Sequence, residues 1–235
     1  MNRVEQYRRS LRRLPSTGWP AYLSEHSGLP GPRGNIELAK ALAEEADPSV
    51  LDALLSGEDE YLVFCGVVGL GRRLADGAAG ADGDLEHQLH AHASDGRWRV
   101  REAVAMALQR LGDTDPARMF RLCAIWAGDP DPLVQRAAVA GVCEPRLLDG
   151  PDAARVAVDI CELVTRSLAA RPREERRRPE VRVLRRGLGY CWSVAVAADP
   201  RLGLPRLRAL LDSPDPDVGW IVRENLSKAR LSRLL

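Results

Sequence analysis

The chain of 235 residues is long enough to bury a sizeable core, and its composition, 45% hydrophobic but only 5% aromatic, argues against β-sandwiches and β-barrels. Its 34 basic and 33 acidic residues give a net charge of +1, which excludes a protein dominated by one sign of charge. No stretch reaches the roughly 20 apolar residues of a membrane span, and none of the five Cys forms a Cys-x-x-Cys pair. We therefore expect a cytoplasmic protein with reduced, buried thiols and no membrane.

Ala, Leu and Arg dominate the sequence, and their apolar periodicity predicts helices along the whole chain. A short basic helix is predicted over residues 3–14, followed by a Pro- and Gly-rich loop over residues 15–34. We therefore predict two parts: residues 1–34 with the N-terminal helix and loop, and residues 35–235 as a helical repeat domain. Asn35 is expected to cap the first helix of that domain. Asp-Pro steps mark several later helix starts, and residues 76–84 are predicted to be a turn. The predicted helices of this domain lie near residues 35–46, 48–55, 58–74, 85–94, 97–111, 115–127, 131–143, 151–169, 179–198, 202–212 and 215–233.

One short phrase occurs three times. An Asp stands five residues before a Val, and an Arg or Gln follows that Val. The three copies begin at Asp95, Asp129 and Asp217. Equivalent valines are taken at Val63, Val100, Val134, Val181 and Val222, so the repeat is roughly 40 residues long. A period of this length predicts a stack of helix pairs.

The phrase Asp-x-x-x-x-Val-Arg, followed by small apolar residues, resembles the HEAT repeat, and the resemblance covers about residues 35 to 233. It implies an all-α fold, a right-handed α–α superhelix (a HEAT-like, armadillo-like solenoid) of about five helix pairs. It also implies an Asp–Arg ladder between adjacent repeats, in which Arg101 and Arg223 would hold the stack together. It says little about function, because such arrays serve many partners.

A helix turns about 100° per residue, so placing Val100 in the core puts Trp98 and Glu102 on the outward side. The repeat that contains Val222 gives the same result for its own Trp and Glu. In HEAT repeats the second helix of each pair usually lines the concave face, so the resemblance implies that these residues lie along a groove. The candidate binding residues are Trp98, Glu102, Arg136, Trp220 and Glu224. We interpret them as a binding surface for a protein partner. The alternative is that each Trp packs against a neighbouring repeat or against the loop at 15–34.

Nucleic acid is the alternative partner. Some DNA glycosylases for alkylated purines are built from HEAT-like repeats, and the two Trp-x-x-x-Glu pairs look like their combination of Trp and carboxylate. This resemblance implies a DNA-binding module or an alkylpurine DNA glycosylase. Those enzymes usually carry Asp and are more basic overall. The Arg-rich segment 171–178 has two interpretations: a solvated loop, or a contact with phosphate or an acidic partner through Arg176, Arg177 and Arg178.

Other patterns in the sequence give no support for a metal site, a nucleotide site or a catalytic site. His87 and His90 share a helix face, but a zinc site needs further ligands, so no metal is predicted. The glycines from Gly66 to Gly71 follow no strand, so neither a nucleotide nor another cofactor is predicted. No spacing specifies a catalytic group. The sequence favours a non-catalytic interaction scaffold and leaves enzyme activity open.

Overall fold

The computed structural model describes residues 2–77 and 82–233, and these consist of helices and turns without a strand. The predicted all-α fold is therefore confirmed. The chain divides into two compact units, Met1–Thr114 and Asp115–Leu235. The division does not fall at residue 34, where the sequence suggested a boundary, because the N-terminal helix packs on other helices of the first unit.

Each unit consists of seven helices within the described residues. Those of the first unit are α1 (Arg3–Arg12), α2 (Trp19–Glu25), α3 (Ile36–Glu45), α4 (Pro48–Leu55), α5 (Glu60–Ala75), α6 (Asp82–Ala93) and α7 (Trp98–Thr114). Those of the second unit are α8 (Pro116–Ala127), α9 (Pro132–Val142), α10 (Pro151–Ala170), α11 (Pro179–Ala198), α12 (Pro200–Ala209), α13 (Pro216–Leu226) and α14 (Ala229–Ser232). Short 3-10 turns lie at Ser16–Gly18, Pro145–Leu147, Glu175–Arg177 and Leu210–Asp212.

Asp side chains and Pro rings start the helices where the sequence predicted. The Asp131 carboxylate accepts the N–H of Leu133 at 2.8 Å, and the Asp215 carboxylate accepts that of Asp217 at 2.9 Å. Pro fits directly after each cap because the first helical N–H has no partner inside the helix. These caps place α9 and α13 within one residue of their predicted starts.

In the first unit, α5 and α7 lie side by side and run in the same direction. Glu60 at the start of α5 pairs with Arg99 near the start of α7, at 2.8 Å. Further along both helices, Gly71 faces the backbone of Ala107. Helix α3 packs against α5 and α1 packs against α3, so α1, α3, α5 and α7 form one layer.

The first helix of each pair packs against its successor in the opposite direction. Leu55, at the end of α4, lies against Gly66 near the start of α5, and Leu51 lies against Gly69. The same pairing joins α6 with α7, α8 with α9, and α10 with α11. Helices α12 and α13 both contact the 3-10 turn between them. The expected number of about five helix pairs is therefore confirmed.

The second unit repeats this arrangement, with α9, α11 and α13 in one layer and α8, α10 and α12 in the other. Trp192 of α11 is fully buried between the layers, and its indole N–H donates to the Thr165 hydroxyl of α10 at 2.9 Å. Asn225 of α13 is also buried, and its amide donates to the Leu188 carbonyl of α11 at 2.9 Å. Asn225 is the second-last residue of α13, so Leu188 is level with the end of that helix. Gly189 of α11 faces Trp220 and Glu224, on either side of Val222, and Val181 lies about two helical turns before Gly189, so Val181 was wrongly aligned with Val222.

Ion pairs join neighbouring second helices within each unit. Arg99 pairs with Glu60, and Arg185 of α11 pairs with Asp217 of α13 at 2.8 Å. Arg101 donates to carbonyls of its own preceding loop, including that of Gly96 at 3.0 Å. Exposed Arg223 lies over Gly219 of its own helix. Arg99 in the first unit and Arg185 in the second therefore make charge contacts between neighbouring second helices.

Two predicted connections also differ. Residues 15–34 contain helix α2, whose Trp19 indole is buried and donates to the Leu11 carbonyl at 3.1 Å. Of the predicted turn at 76–84, residues 78–81 lie outside the described residues, and α6 begins already at Asp82. Within the described ranges, every helix falls short of the length and apolarity that crossing a bilayer requires.

Candidate functional site

Trp98 is the first residue of α7 and points outward, with 47% of its surface exposed. The guanidinium carbon of Arg99 lies 4.6 Å from the centre of the indole ring, a cation–π distance. Glu102, one turn further along, is half-buried. Val100 between them is fully buried, so the helical periodicity placed Trp98 and Glu102 on the correct side of α7.

Arg99 is held in place by two other elements of the first unit. One terminal nitrogen bonds the Glu60 carboxylate at 2.8 Å, and the other bonds the Gly31 carbonyl at 3.0 Å. The Arg99 Nε is buried and has no hydrogen-bond partner among the described residues. The cation that covers one side of Trp98 is therefore fixed before any partner arrives.

An open cleft of about 480 Å³ lies beside this arginine in the first unit. The connection between α2 and α3 forms one wall, and the start of α5 forms the other. The lining residues are Ser24, Ser27, Leu29, Pro30, Asp59, Glu60, Tyr61 and Arg99. Asp59 caps α5 by accepting the N–H groups of Tyr61 and Leu62 through one carboxylate oxygen, at 2.8 and 2.9 Å. Together with Trp98, the cleft offers a partner both an apolar contact and polar groups.

Trp220 occupies the equivalent sequence position but has different surroundings. It is half-buried on α13, and a Cβ atom built on Gly189 of α11 would lie 2.8 Å from its ring. The guanidinium carbon of Arg185 lies 3.9 Å from the ring centre. Its neighbour Glu224 pairs with Lys228 at 2.5 Å. The alternative interpretation, packing against a neighbouring repeat, therefore applies to Trp220.

Arg136 and the three arginines 176–178 also separate into structural and exposed groups. Arg136 is half-buried, with its side chain alongside Gly187 of α11. Arg176 keeps only 13% of its side chain exposed and bonds Asp215 and the Arg171 carbonyl, the latter at 2.8 Å. Arg176 is therefore engaged inside the protein, whereas Arg177 and Arg178 are exposed.

The carboxylate of Asp215, which pairs with Arg176, has a lowered pKa. Burial acts to raise the pKa of Asp215, but hydrogen bonds from Arg176 and from the N–H groups at the start of α13 leave that pKa lowered. Asp215 thus stays ionised and ties the Arg-rich connection to α13. Removing Arg176 would leave a partly buried carboxylate without its cation.

A basic and aromatic stripe on α11 escaped the sequence analysis. Arg182 and Arg186 are exposed, and Tyr190 has 49% of its surface exposed. Arg230 of α14 lies 4.9 Å from the Tyr190 ring centre and donates to its hydroxyl at 2.9 Å. The signal was the four-residue spacing of these side chains, which places them on successive turns of one helix.

The histidines and cysteines form no obvious reactive centre. In the described part of the chain, no three His, Cys, Asp or Glu side chains are placed to hold a metal ion. All five Cys are buried and free, with the sulfurs of Cys143 and Cys161 3.6 Å apart. Burial raises the pKa of Cys123 to about 12, so this thiol stays protonated.

The fold defines the class of this chain: it is an all-α protein of paired helices. Comparison with known proteins adds no family to that class. No family model matches the chain, and no curated protein matches it. Two similar solved structures are both engineered proteins determined by the Northeast Structural Genomics Consortium. One is 20% identical over 99% of this chain and 98% of its own, with a TM-score of 0.39. The other is 17% identical over 99% and 100%, with a TM-score of 0.40. Likeness at this level carries no argument about function.

Proposed function

We propose that this protein is a non-catalytic interaction scaffold that binds a protein partner through the surface around Trp98. The supporting observation is the indole itself, which is 47% exposed at the start of α7. Trp is enriched at protein interfaces because its large ring buries much apolar surface while its N–H can still donate a hydrogen bond. Trp and Arg are also the side chains that most often dominate protein–protein binding energy.

The arrangement around Trp98 is already ordered, which favours binding. Arg99 is fixed by Glu60 and by the Gly31 carbonyl, so the stacked pair of Arg99 and Trp98 loses little freedom when a partner docks. Binding surfaces gain affinity when such costs are met during folding. The neighbouring cleft of about 480 Å³ would take a side chain of the partner.

Charge argues for a protein at this surface rather than for a nucleic acid. Residues 1–114 contain 17 acidic and 13 basic residues, a net charge of −4. A unit with a net negative charge repels a polyanion at long range. It attracts a protein segment with basic side chains.

The glycosylase alternative has less support. Its chemistry requires a carboxylate that is free beside an accessible Trp, but Glu224 is paired with Lys228 and Trp220 is covered by Arg185. In the first unit, Glu102 already has a polar partner. Neither Trp–Glu pair therefore offers an unengaged carboxylate.

The proposal is tested by a quantitative affinity purification with wild-type protein, Trp98→Ala and Ile125→Ala. Ile125 is a matched control, because it is a large apolar side chain that is 71% exposed on α8 of the second unit. A specific partner is recovered with the wild type and with Ile125→Ala, but is depleted with Trp98→Ala.

Direct titration of that partner should then show a loss of about 2 kcal/mol or more for Trp98→Ala, roughly 30-fold in Kd. Equal recovery of every bound protein with both variants would overturn the proposal. A thermal unfolding curve for each variant establishes that the folded state is being compared.

A further inference from the structure

Several arginines of the second unit have no carboxylate partner among the described residues, and five of them lie within one short segment. Elsewhere in this unit, Arg185 pairs with Asp217 and Arg206 pairs with Asp159 and Glu162. The five unpaired, exposed arginines of the segment are Arg173, Arg177, Arg178, Arg182 and Arg186. This clustering turns one connection and the following helix into a concentrated positive surface.

Three of these arginines and one aromatic residue follow one another at a regular spacing. Arg178, Arg182, Arg186 and Tyr190 follow one another at intervals of four residues, which is about 6 Å along a helix axis for each step. We call these four residues the α11 stripe. Glu180 lies on the other side of α11 from Arg182, because two residues turn a helix by about 200°. The stripe therefore carries cations without an interposed acid.

Tyr190 gives the stripe a fixed aromatic ring. Arg230 lies 4.9 Å from the ring centre and bonds the hydroxyl at 2.9 Å, which holds the ring in place. With 49% of its surface exposed, Tyr190 still offers ring surface to a ligand. A planar group stacked there would be close to the cations of the stripe and of Arg230.

We propose that the α11 stripe binds a single-stranded nucleic acid. Its arginines would contact backbone phosphates, for which the guanidinium has matching bidentate geometry. Tyr190 would stack on an unpaired base, the combination by which proteins bind single strands without reading their sequence. A duplex buries its base faces and an acidic peptide has no base to stack, so neither uses Tyr190.

The charge of the second unit agrees with this ligand. Residues 115–235 contain 21 basic and 16 acidic residues, a net charge of +5. The surplus attracts a polyanion and makes the affinity depend on salt, because each phosphate contact releases bound counterions. This surface is independent of Trp98, so its failure and that of the protein-binding proposal are separate results.

The test is a fluorescence anisotropy titration of the full chain with a labelled oligothymidylate of about 16 nucleotides, over a series of salt concentrations. Wild-type protein should bind with an affinity that falls steeply with salt. The double variant Arg182→Gln/Arg186→Gln should lower the slope of log K against log salt by about 1.4, or about 0.7 for each phosphate contact. Tyr190→Ala should weaken binding by about fivefold or more, whereas Tyr190→Phe should retain it.

The matched control is Arg201→Gln/Arg208→Gln. Both arginines are exposed on α12, in the other layer of the second unit, and neither has an ion-pair partner in the described residues. This pair removes the same charge and should leave the salt slope unchanged. Equal losses in the two double variants would show an unspecific charge effect and overturn the proposal.

Three other outcomes also overturn it. One is no binding of the oligonucleotide by wild-type protein at low salt. A second is tighter binding of a duplex of equal length, unaffected by Tyr190→Ala. The third is displacement of the oligonucleotide by polyglutamate as effectively as by unlabelled oligothymidylate, which would indicate an acidic protein as the ligand. Circular dichroism melting curves verify that each variant is folded.

Discussion

Substitution of Gly71 by Ala tests the close contact of α5 and α7 in the first unit. A Cβ atom at this position would lie 2.5 Å from the Ala107 Cα and 2.9 Å from the Ala107 carbonyl oxygen. Both are main-chain atoms, so no side-chain rotation relieves the overlap. The two helices must move apart for the methyl group to fit.

The size of the effect follows from the distances. Ordinary contact begins near 3.4 Å, so the helices must separate by roughly 0.9 Å, the difference from 2.5 Å. A gap of that size removes about a quarter to a half of the dispersion attraction across the contact. Overpacking against a rigid backbone costs about 3 kcal/mol, and Ala gains about 1 kcal/mol over Gly inside a helix. We therefore expect Gly71→Ala to lower the free energy of unfolding by about 2 kcal/mol.

Gly83→Ala is the matched control in the same unit. Gly83 lies in α6, and nothing lies within 4 Å of a Cβ atom built there. The same chemical change should stabilise the protein by up to about 1 kcal/mol. Urea unfolding, followed by circular dichroism, measures both variants. The reasoning is refuted if Gly71→Ala is as stable as the wild type, or if both substitutions act in the same direction.

Three further predictions concern buried polar and titratable groups. Asn225→Ala should lower the free energy of unfolding by about 1–3 kcal/mol, because the fully buried amide bonds two carbonyls and one N–H; an unchanged urea midpoint would contradict this role. The hydrogen bond from Arg12 lowers the pKa of Glu45, so its stabilising contribution exists above the unfolded value of about 4.3 and is lost as the pH falls through the lower folded value. The difference in urea midpoint between wild type and Glu45→Gln should therefore shrink in acid, and a difference that persists at about pH 3 argues against it. Cys123, with its pKa raised to about 12 by burial, should react slowly with a thiol reagent until urea unfolds the chain; rapid labelling of the folded protein would be the contrary result.

Helix boundaries could be predicted where the side chain itself supplies the missing hydrogen bond. Asn35 accepts the N–H of Leu38 at 3.1 Å, and Asp131 and Asp215 act in the same way. Helix α2 escaped prediction because the Pro and Gly content of residues 15–34 indicated a loop. Pro20 stands at the second residue of the helix, where the N–H has no partner to lose.

The two Trp residues show what helical periodicity in a sequence can predict and what it cannot. The rotation of 100° per residue predicted that Trp98 and Trp220 face away from the buried side of their own helices. That prediction needs only the sequence of the helix itself. The difference between them comes from the neighbouring helix: Gly189 of α11 lets Trp220 pack closely, and Arg185 covers it. Such contacts depend on the register between helices, which the Val-based alignment placed wrongly for α11.

The pairing of charges could not be predicted either. Arg176 and Arg178 stand two residues apart in one Arg-rich run, yet Arg176 is half-buried and paired with Asp215, whereas Arg178 is exposed. The local sequence is alike for both, and only the position of α13 distinguishes them. A basic run therefore indicates a charged surface without showing which of its members are free.

The most direct test of the account is a pair of measurements on Trp98→Ala: its urea unfolding curve and its affinity for the captured partner. We expect an unfolding free energy within about 1 kcal/mol of the wild type, together with an affinity at least roughly 30-fold weaker. Full affinity would show that a partner does not use Trp98. A large loss of stability would show that the indole belongs to the core of the first unit rather than to a binding surface.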